Sequence, residues 1–265
     1  MPEITINDVT LYYELHGPED GEVVVLSNGI MMSTAAWAYQ TAALAAHMRV
    51  LLYDCRGMWR SEHPSGPYSM EQHADDLAAL MDALKIEKAH IAGISYGSEI
   101  SMIFALRYPH KTKTLIIMDG VSQIDPLLYH QTLPWLMAAE RKDAELLLRT
   151  SVHFNYGEDW IASHAEAIEK SIPRFAQLDM DAMVELMKAF YKLDITDQLG
   201  AIKVPTLVVI GEDDLIKGRK YSDIIVSRIP HAEYAVIPRA GHALCIDKPD
   251  VLNSLLIGFI LKNRA

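Results

Sequence analysis

The chain is short of cysteine, of basic charge and of long apolar runs, and each shortage removes a class of protein. Its 265 residues include two cysteines, Cys55 and Cys245, too few for a disulfide framework and without metal-ligand spacing. Free thiols in a reducing compartment are expected. Lys and Arg number 24 against 35 Asp and Glu, a formal net charge of -11. With no basic cluster to meet a phosphate backbone, nucleic-acid binding is disfavoured. No stretch approaches the ~20 apolar residues of a bilayer span. The start Met1-Pro2-Glu3 has no basic segment followed by an apolar one, so a cytoplasmic protein with no membrane partner is expected. Repeats, low-complexity tracts and linkers are missing too. Hydrophobic residues make up 50% of the chain, which is enough for one large core.

Against that background, the run Ala89-His90-Ile91-Ala92-Gly93-Ile94-Ser95-Tyr96-Gly97-Ser98 stands out. A short apolar strand meets a helix through Gly-x-Ser-x-Gly, the layout of a nucleophile elbow, in which the residues two before and two after the serine must be small for the chain to pass. The helix reading rests on Ile100, Ile103, Phe104 and Leu106, and Tyr108-Pro109 stops it. A serine hydroxyl is a poor nucleophile, so hydrolysis needs a histidine to take its proton and a carboxylate to orient that histidine. Both appear downstream: the strand from Val204 runs into Gly211-Glu212-Asp213-Asp214, and the strand at Ile237 leads into Gly241-His242. Asp214 is the expected acid, with Asp213 a solvated turn residue and Asp119, which follows an earlier strand, a third candidate. His90 and His110 are read as strand-edge or surface histidines.

Strands and helices alternate through the rest of the chain. Residues 4-15 and 23-27 read as early strands of a meander joined by the turn 17-21, and 49-54 as another strand. Ser69-x-x-Gln72 opens a helix with the apolar stripe Leu77, Leu80, Met81 and Leu84. Residues 114-120 form a buried strand, after which the strand signal is lost until Val204. This pattern predicts a largely parallel sheet with helices on both faces. The gap reads as an inserted helical cap over 122-200, the core being 1-121 and 201-265. Within the cap, Met180, Met183, Met187 and Phe190 recur at helical spacing. They are first a packing face, but part of the cap must also roof a pocket. Apolar, Met-rich sites suit a medium-sized, largely uncharged substrate, and Trp135, Met183 and Met187 are candidate substrate contacts.

Taken together, these residues resemble the α/β-hydrolase family along nearly the whole chain. The likeness rests on the elbow, the Gly-x-x-Asp turn ending at Asp214, Gly241-His242, the Asp-x-Arg-Gly turn Asp54-Cys55-Arg56-Gly57, and Tyr108-Pro109. It implies a mostly parallel eight-stranded sheet, a Ser95-Asp214-His242 triad and no metal or organic cofactor. It also implies an oxyanion hole of two backbone N-H groups, Tyr96 and a residue of Asn28-Gly29-Ile30-Met31. Ile30 is the expected second donor, with Met31 the alternative and Asn28 and Met31 near the substrate. Asn28 stands where the family often has histidine, a departure shared with enol-lactonase-like members. Trp59 replaces a more usual glycine and either borders the pocket mouth or packs on the surface. The expected activity is ester or lactone hydrolysis of a small-molecule substrate, with a homodimer left open. The same triad suits carbon-carbon bond hydrolases, thioesterases and hydroxynitrile lyases, and the fold also serves small-molecule receptors.

Overall fold

The computed structural model describes residues 2-264. Eight strands form one sheet in the order β1-β2-β4-β3-β5-β6-β7-β8. They are β1 (Glu3–Ile6), β2 (Val9–His16), β3 (Val23–Ser27), β4 (Arg49–Tyr53), β5 (Ala89–Ile94), β6 (Thr112–Met118), β7 (Thr206–Gly211) and β8 (Glu233–Ile237). The β1/β2 and β2/β4 pairs are antiparallel, and every pair from β4 to β8 is parallel. In β3, β5 and β7 every residue is buried, because helices cover both faces of a parallel sheet and its strands read as continuous apolar runs. The edge strands β1 and β8 carry exposed residues and each has one buried residue, at its C-terminal end.

Two early expectations change. The segment 4-15 is a hairpin, broken at Asn7, whose φ is +49°, a value that asparagine tolerates better than most residues. Nor do the first strands form a simple meander, since β4 lies between β2 and β3. A parallel neighbour needs a crossover, and α1 (Ala38–Leu44) lies on the chain linking β3 to β4.

The remaining helices are α2 (Met70–Ala83), α3 (Tyr96–Arg107), α4 (Pro126–Glu140), α5 (Ala144–Asn155), α6 (Glu158–Lys170), α7 (Ile172–Phe175), α8 (Met180–Phe190), α9 (Arg219–Arg228), α10 (Leu244–Asp247) and α11 (Pro249–Lys262). Ser69 Oγ accepts the Gln72 N-H at 3.1 Å and caps α2. Asp125, Asp143 and Asp179 cap α4, α5 and α8 in the same way. Thus α4 to α8 all lie between β6 and β7, and a bridge between Gln123 and Asp194 joins the two ends of that insertion. Two apolar clusters, one on each side of the sheet, make up the core. No described helix is long and apolar enough to cross a membrane.

Candidate active site

The elbow is strained where the sequence demands it. Ser95 has φ +54° and ψ -120°, a region that costs a non-glycine residue energy and persists only where the surroundings enforce it. Here the Ser95 N-H donates to Met118 O at 2.9 Å, tying the turn to the end of β6. Ser98 Oγ lies 2.6 Å from Gly93 O and 2.7 Å from Met118 O, its one proton shared between these two acceptors, bracing the same corner. A Cβ on Gly93 would lie 2.0 Å from Gly97 O, and one on Gly97 2.1 Å from Ser27 O. Both glycines are therefore required by closeness of backbone rather than by φ.

Loops after β7 and β8 bring Asp214 and His242 together, both buried. His242 Nδ1 donates to Asp214 Oδ2 at 2.7 Å. The other carboxylate oxygen, Oδ1, accepts the N-H groups of Ile216 at 2.9 Å and Lys217 at 2.8 Å. Burial alone would raise the Asp214 carboxyl, but the His242 imidazole and these two N-H groups outweigh it and hold the pKa below its ordinary value. Among the described residues, Ser95 Oγ has no hydrogen bond to His242. The two line the same cavities, and such contacts often tighten only when substrate is bound. Asp213 is exposed.

Asp119, the third acidic candidate, is fully buried at φ +49°. Its Oδ1 accepts the Gly211 N-H at 3.0 Å, while Oδ2 has no partner. One side-chain atom from each of Asp119, Asp214 and His242 lies within 4.8 Å of the others. That grouping could in principle chelate a cation. However, both Asp214 oxygens and the His242 Nδ1 are already engaged with one another or with backbone N-H groups, which suits an acid-base trio better. Burial, and next the Asp214 charge, push the Asp119 carboxyl well above the carboxylate range. A proton on Asp119 relieves two adjacent carboxylates.

The space in front of Ser95 has two lobes, and Ile30, Ser95, Trp135 and His242 line both. The larger, about 190 Å³, is walled by Met31, Trp59, Tyr156, Trp160 and Phe175 among others. The smaller, about 20 Å³, is closed by Tyr96, Met187, Phe190 and Lys217. Helices α4 to α7 thus line the larger lobe, and α4 and α8 the smaller one. Met31 and Trp59 are joined by a bond from Trp59 Nε1 to Met31 O at 3.0 Å, and Trp59 lies at the cavity rather than only on the surface.

Two expected contacts do not reach the cavities. Asn28 is fully buried with both ends of its amide occupied: Nδ2 donates to Asp54 Oδ1 at 2.9 Å, and Oδ1 accepts Trp37 Nε1 at 2.8 Å. Its role is to fix the loop that carries Ile30. Met183 packs in the core, one turn of α8 before the cavity-facing Met187. His90 also differs from expectation. It lies buried in the central strand β5 against Thr114, where burial lowers its pKa to about 4.

Three features at the site were not read from the sequence. His73 of α2 meets the Tyr96 hydroxyl at 2.9 Å, anchoring the residue after Ser95; burial lowers the His73 pKa to about 3. Arg174 of α7 reaches Ser33 Oγ at 3.1 Å and stacks over Trp59 at 4.8 Å, linking the helical insertion to the loop after β3. Lys217 pairs with buried Glu99. Of these, only Lys217 had a usable signal, a charged residue three positions after the candidate acid.

Comparison with known proteins agrees with this architecture. A family model described as the alpha/beta hydrolase fold matches residues 22–249. A protein of Azorhizobium caulinodans with the provisional name carbamate hydrolase RutD is 32% identical over 263 residues, covering 98% of each chain. Among solved structures, the enol-lactonase of Burkholderia xenovorans LB400 superposes with a TM-score of 0.92 at 27% identity, covering 98% of this chain and 100% of that one. A thermophilic esterase from Thermogutta terrifontis gives a TM-score of 0.90 at 25% identity, covering 100% and 99%. The chain belongs to the α/β-hydrolase family and is a hydrolase of that fold.

Proposed function

We propose that the protein is a serine hydrolase that cleaves a carboxylic ester or lactone of a medium-sized, largely apolar substrate. The observation that carries this reading is the 2.7 Å contact from His242 Nδ1 to Asp214, with Ser95 on a strained elbow at the same cavity wall. Ser95 Oγ attacks the carbonyl carbon while His242 takes its proton. Asp214 keeps the imidazole in the tautomer whose Nε2 faces the serine, and it stabilises the imidazolium that forms. The Tyr96 N-H, at the start of α3, and the Ile30 N-H hold the oxyanion. Collapse expels an alkoxide, protonated by His242, and a water deprotonated by His242 then clears the acyl-enzyme. The apolar walls of the larger lobe support the choice of substrate. We assign the enzyme to a reducing compartment, which suits two buried, unpaired thiols; burial pushes that of Cys245 up to about 12.

A carbamate is the second reading, favoured by the 32% identity to the Azorhizobium protein of that name. Its carbonyl carbon would meet the same nucleophile and oxyanion donors. Ester and carbamate pairs sharing one alcohol separate the two. The triad itself is tested by Ser95→Ala, for which turnover is expected to fall by a factor on the order of 10⁶, the scale known from another serine-triad enzyme. Turnover close to wild type would overturn the mechanism.

A further inference from the structure

The smaller lobe is apolar on most sides yet has a lysine in its wall. Lys217 lines it beside Ile30, Ser95, Tyr96 and His242, with 4% of its side chain exposed. Its backbone is locked to the site, because the Lys217 N-H donates to Asp214 Oδ1 at 2.8 Å. The ammonium donates to Glu99 Oε1 at 3.0 Å and Oε2 at 2.9 Å, and lies 4.9 Å from the centre of the Phe190 ring, another wall of the lobe. An ammonium has three N-H donors. The two Glu99 oxygens take up to two of them, no other acceptor bonds the ammonium among the described residues, and Lys217 and the Phe190 ring beside it both line the lobe.

A purely structural role does not require this arrangement. Glu99 Oε1 accepts the Val121 N-H at 2.9 Å, which ties α3 to the loop after β6, and a glutamine could accept that bond with no lysine opposite. Taking both charges out of water is costly, and buried pairs are often no more stabilising than apolar residues of the same volume. A buried ammonium in the wall beside the nucleophile therefore points to a ligand.

We propose that Lys217 is a specificity determinant, its ammonium receiving a neutral oxygen carried by the acyl group close to the scissile carbonyl. The proposal rests on the serine-hydrolase reading above. Charge balance selects the kind of oxygen. Glu99 already neutralises Lys217, and Asp214 is ionised nearby, so a carboxylate would add an unbalanced negative charge in a dry site. A ketone or ether oxygen adds none. Position follows from the lining: Lys217 and Ser95 wall the same small lobe, so the oxygen lies only about two or three atoms from the carbonyl carbon attacked by Ser95. The bulkier, apolar side of the scissile bond then occupies the larger lobe.

The test uses 2-naphthyl esters of butanoate, methoxyacetate and 3-oxobutanoate, the first two being near-isosteric acyl groups that differ by an ether oxygen. Each kcat/KM is divided by the hydroxide-catalysed rate constant of the same ester, which removes intrinsic reactivity. Wild type is expected to favour at least one oxygenated ester by about tenfold or more, as for a hydrogen bond to a charged group. In Glu99→Gln/Lys217→Met that preference is expected to fall to about one; if this pair does not fold, Glu99→Gln/Lys217→Leu, which likewise has no donor at 217, replaces it. Hydrolysis of all three esters by wild type with Ser95 reactive but no oxygen preference overturns this proposal alone, as does a preference that survives the substitutions. No hydrolysis of any ester, with Ser95 unreactive to a fluorophosphonate, overturns the serine-hydrolase reading and this proposal with it.

Discussion

At the residue scale, the two buried aspartates near His242 are assigned opposite protonation states, and substitution separates them. His242 and two backbone N-H groups favour the ionised form of Asp214, while burial and the Asp214 charge favour the protonated form of Asp119. Asp214→Asn should lower kcat by a factor on the order of 10⁴, because the imidazole loses the partner that sets its tautomer. Asp119→Asn should change kcat by less than about tenfold, since an amide keeps the acceptor for Gly211 N-H and presents an N-H where the acid presented a proton. Steady-state kinetics on one ester decides both, and the reverse ranking would make Asp119 the working acid. That Ser95, Asp214 and His242 meet at one cavity was legible in the sequence because each follows a strand within a motif resembling the α/β-hydrolase family. Asn28 was misread because its buried bonds to Asp54 and Trp37 join residues up to 26 apart, and no local pattern announces them. His73 and Glu99 were missed for the same reason.

At the scale of elements, the elbow is a close approach of β5, α3 and the end of β3, and it allows no extra atom. Gly97→Ala would press a methyl group into Ser27 O and Asn28 O, at 2.1 and 2.8 Å. Overpacking against backbone cannot be relieved by a rotamer change, so a loss of about 3 kcal/mol or more is expected, together with loss of activity as the oxyanion donors move. Urea denaturation and ester kinetics on Gly97→Ala measure the two. A stable, active variant would mean that the turn is looser than described. Among the elements, the central strands and the helices after Ser69 and Ser95 were readable from continuous apolar runs and from caps. The hairpin at Asn7 was missed even though the turn-favouring pair Asn7-Asp8 interrupts the strand-forming residues of 4–15. Met183 and Met187 show the limit within a helix: both sit on the apolar stripe of α8, yet one faces the core and the other the cavity.

At the scale of the whole molecule, buried neutral histidines tie stability to pH. His73 has a pKa of about 3 in the folded protein, against about 6.5 in an unfolded chain. Between those values the unfolded state binds more protons. The stability contributed by His73 is therefore complete above about pH 6.5 and is lost as pH falls towards 3, by about 1.4 kcal/mol per unit in the middle of that window. Asp54, pushed up to about 6 by burial, acts in the opposite sense between about 4 and 6. The net slope of the wild type is therefore less informative than a difference. In His73→Gln, urea-derived stability relative to wild type should shift in the variant's favour as pH falls from about 6 to 4, and be constant above pH 7. A difference that does not change with pH would show that His73 is not held neutral.

The placing of five helices between β6 and β7 was legible as a gap in strand signal, whereas the division of the space beneath them into two lobes was not. The smaller lobe is built by Trp135, Phe190 and Lys217, which come from α4, α8 and the loop after β7. Sequence spacing carries no record of such meetings. The central claim, that Ser95 is the nucleophile of a hydrolytic triad, is tested most directly by incubating the protein with a fluorophosphonate and locating the adduct by mass spectrometry. The account predicts a single adduct on Ser95, formed in parallel with loss of ester hydrolysis. Full inactivation with the adduct elsewhere, or hydrolysis that continues with Ser95 fully modified, would contradict it.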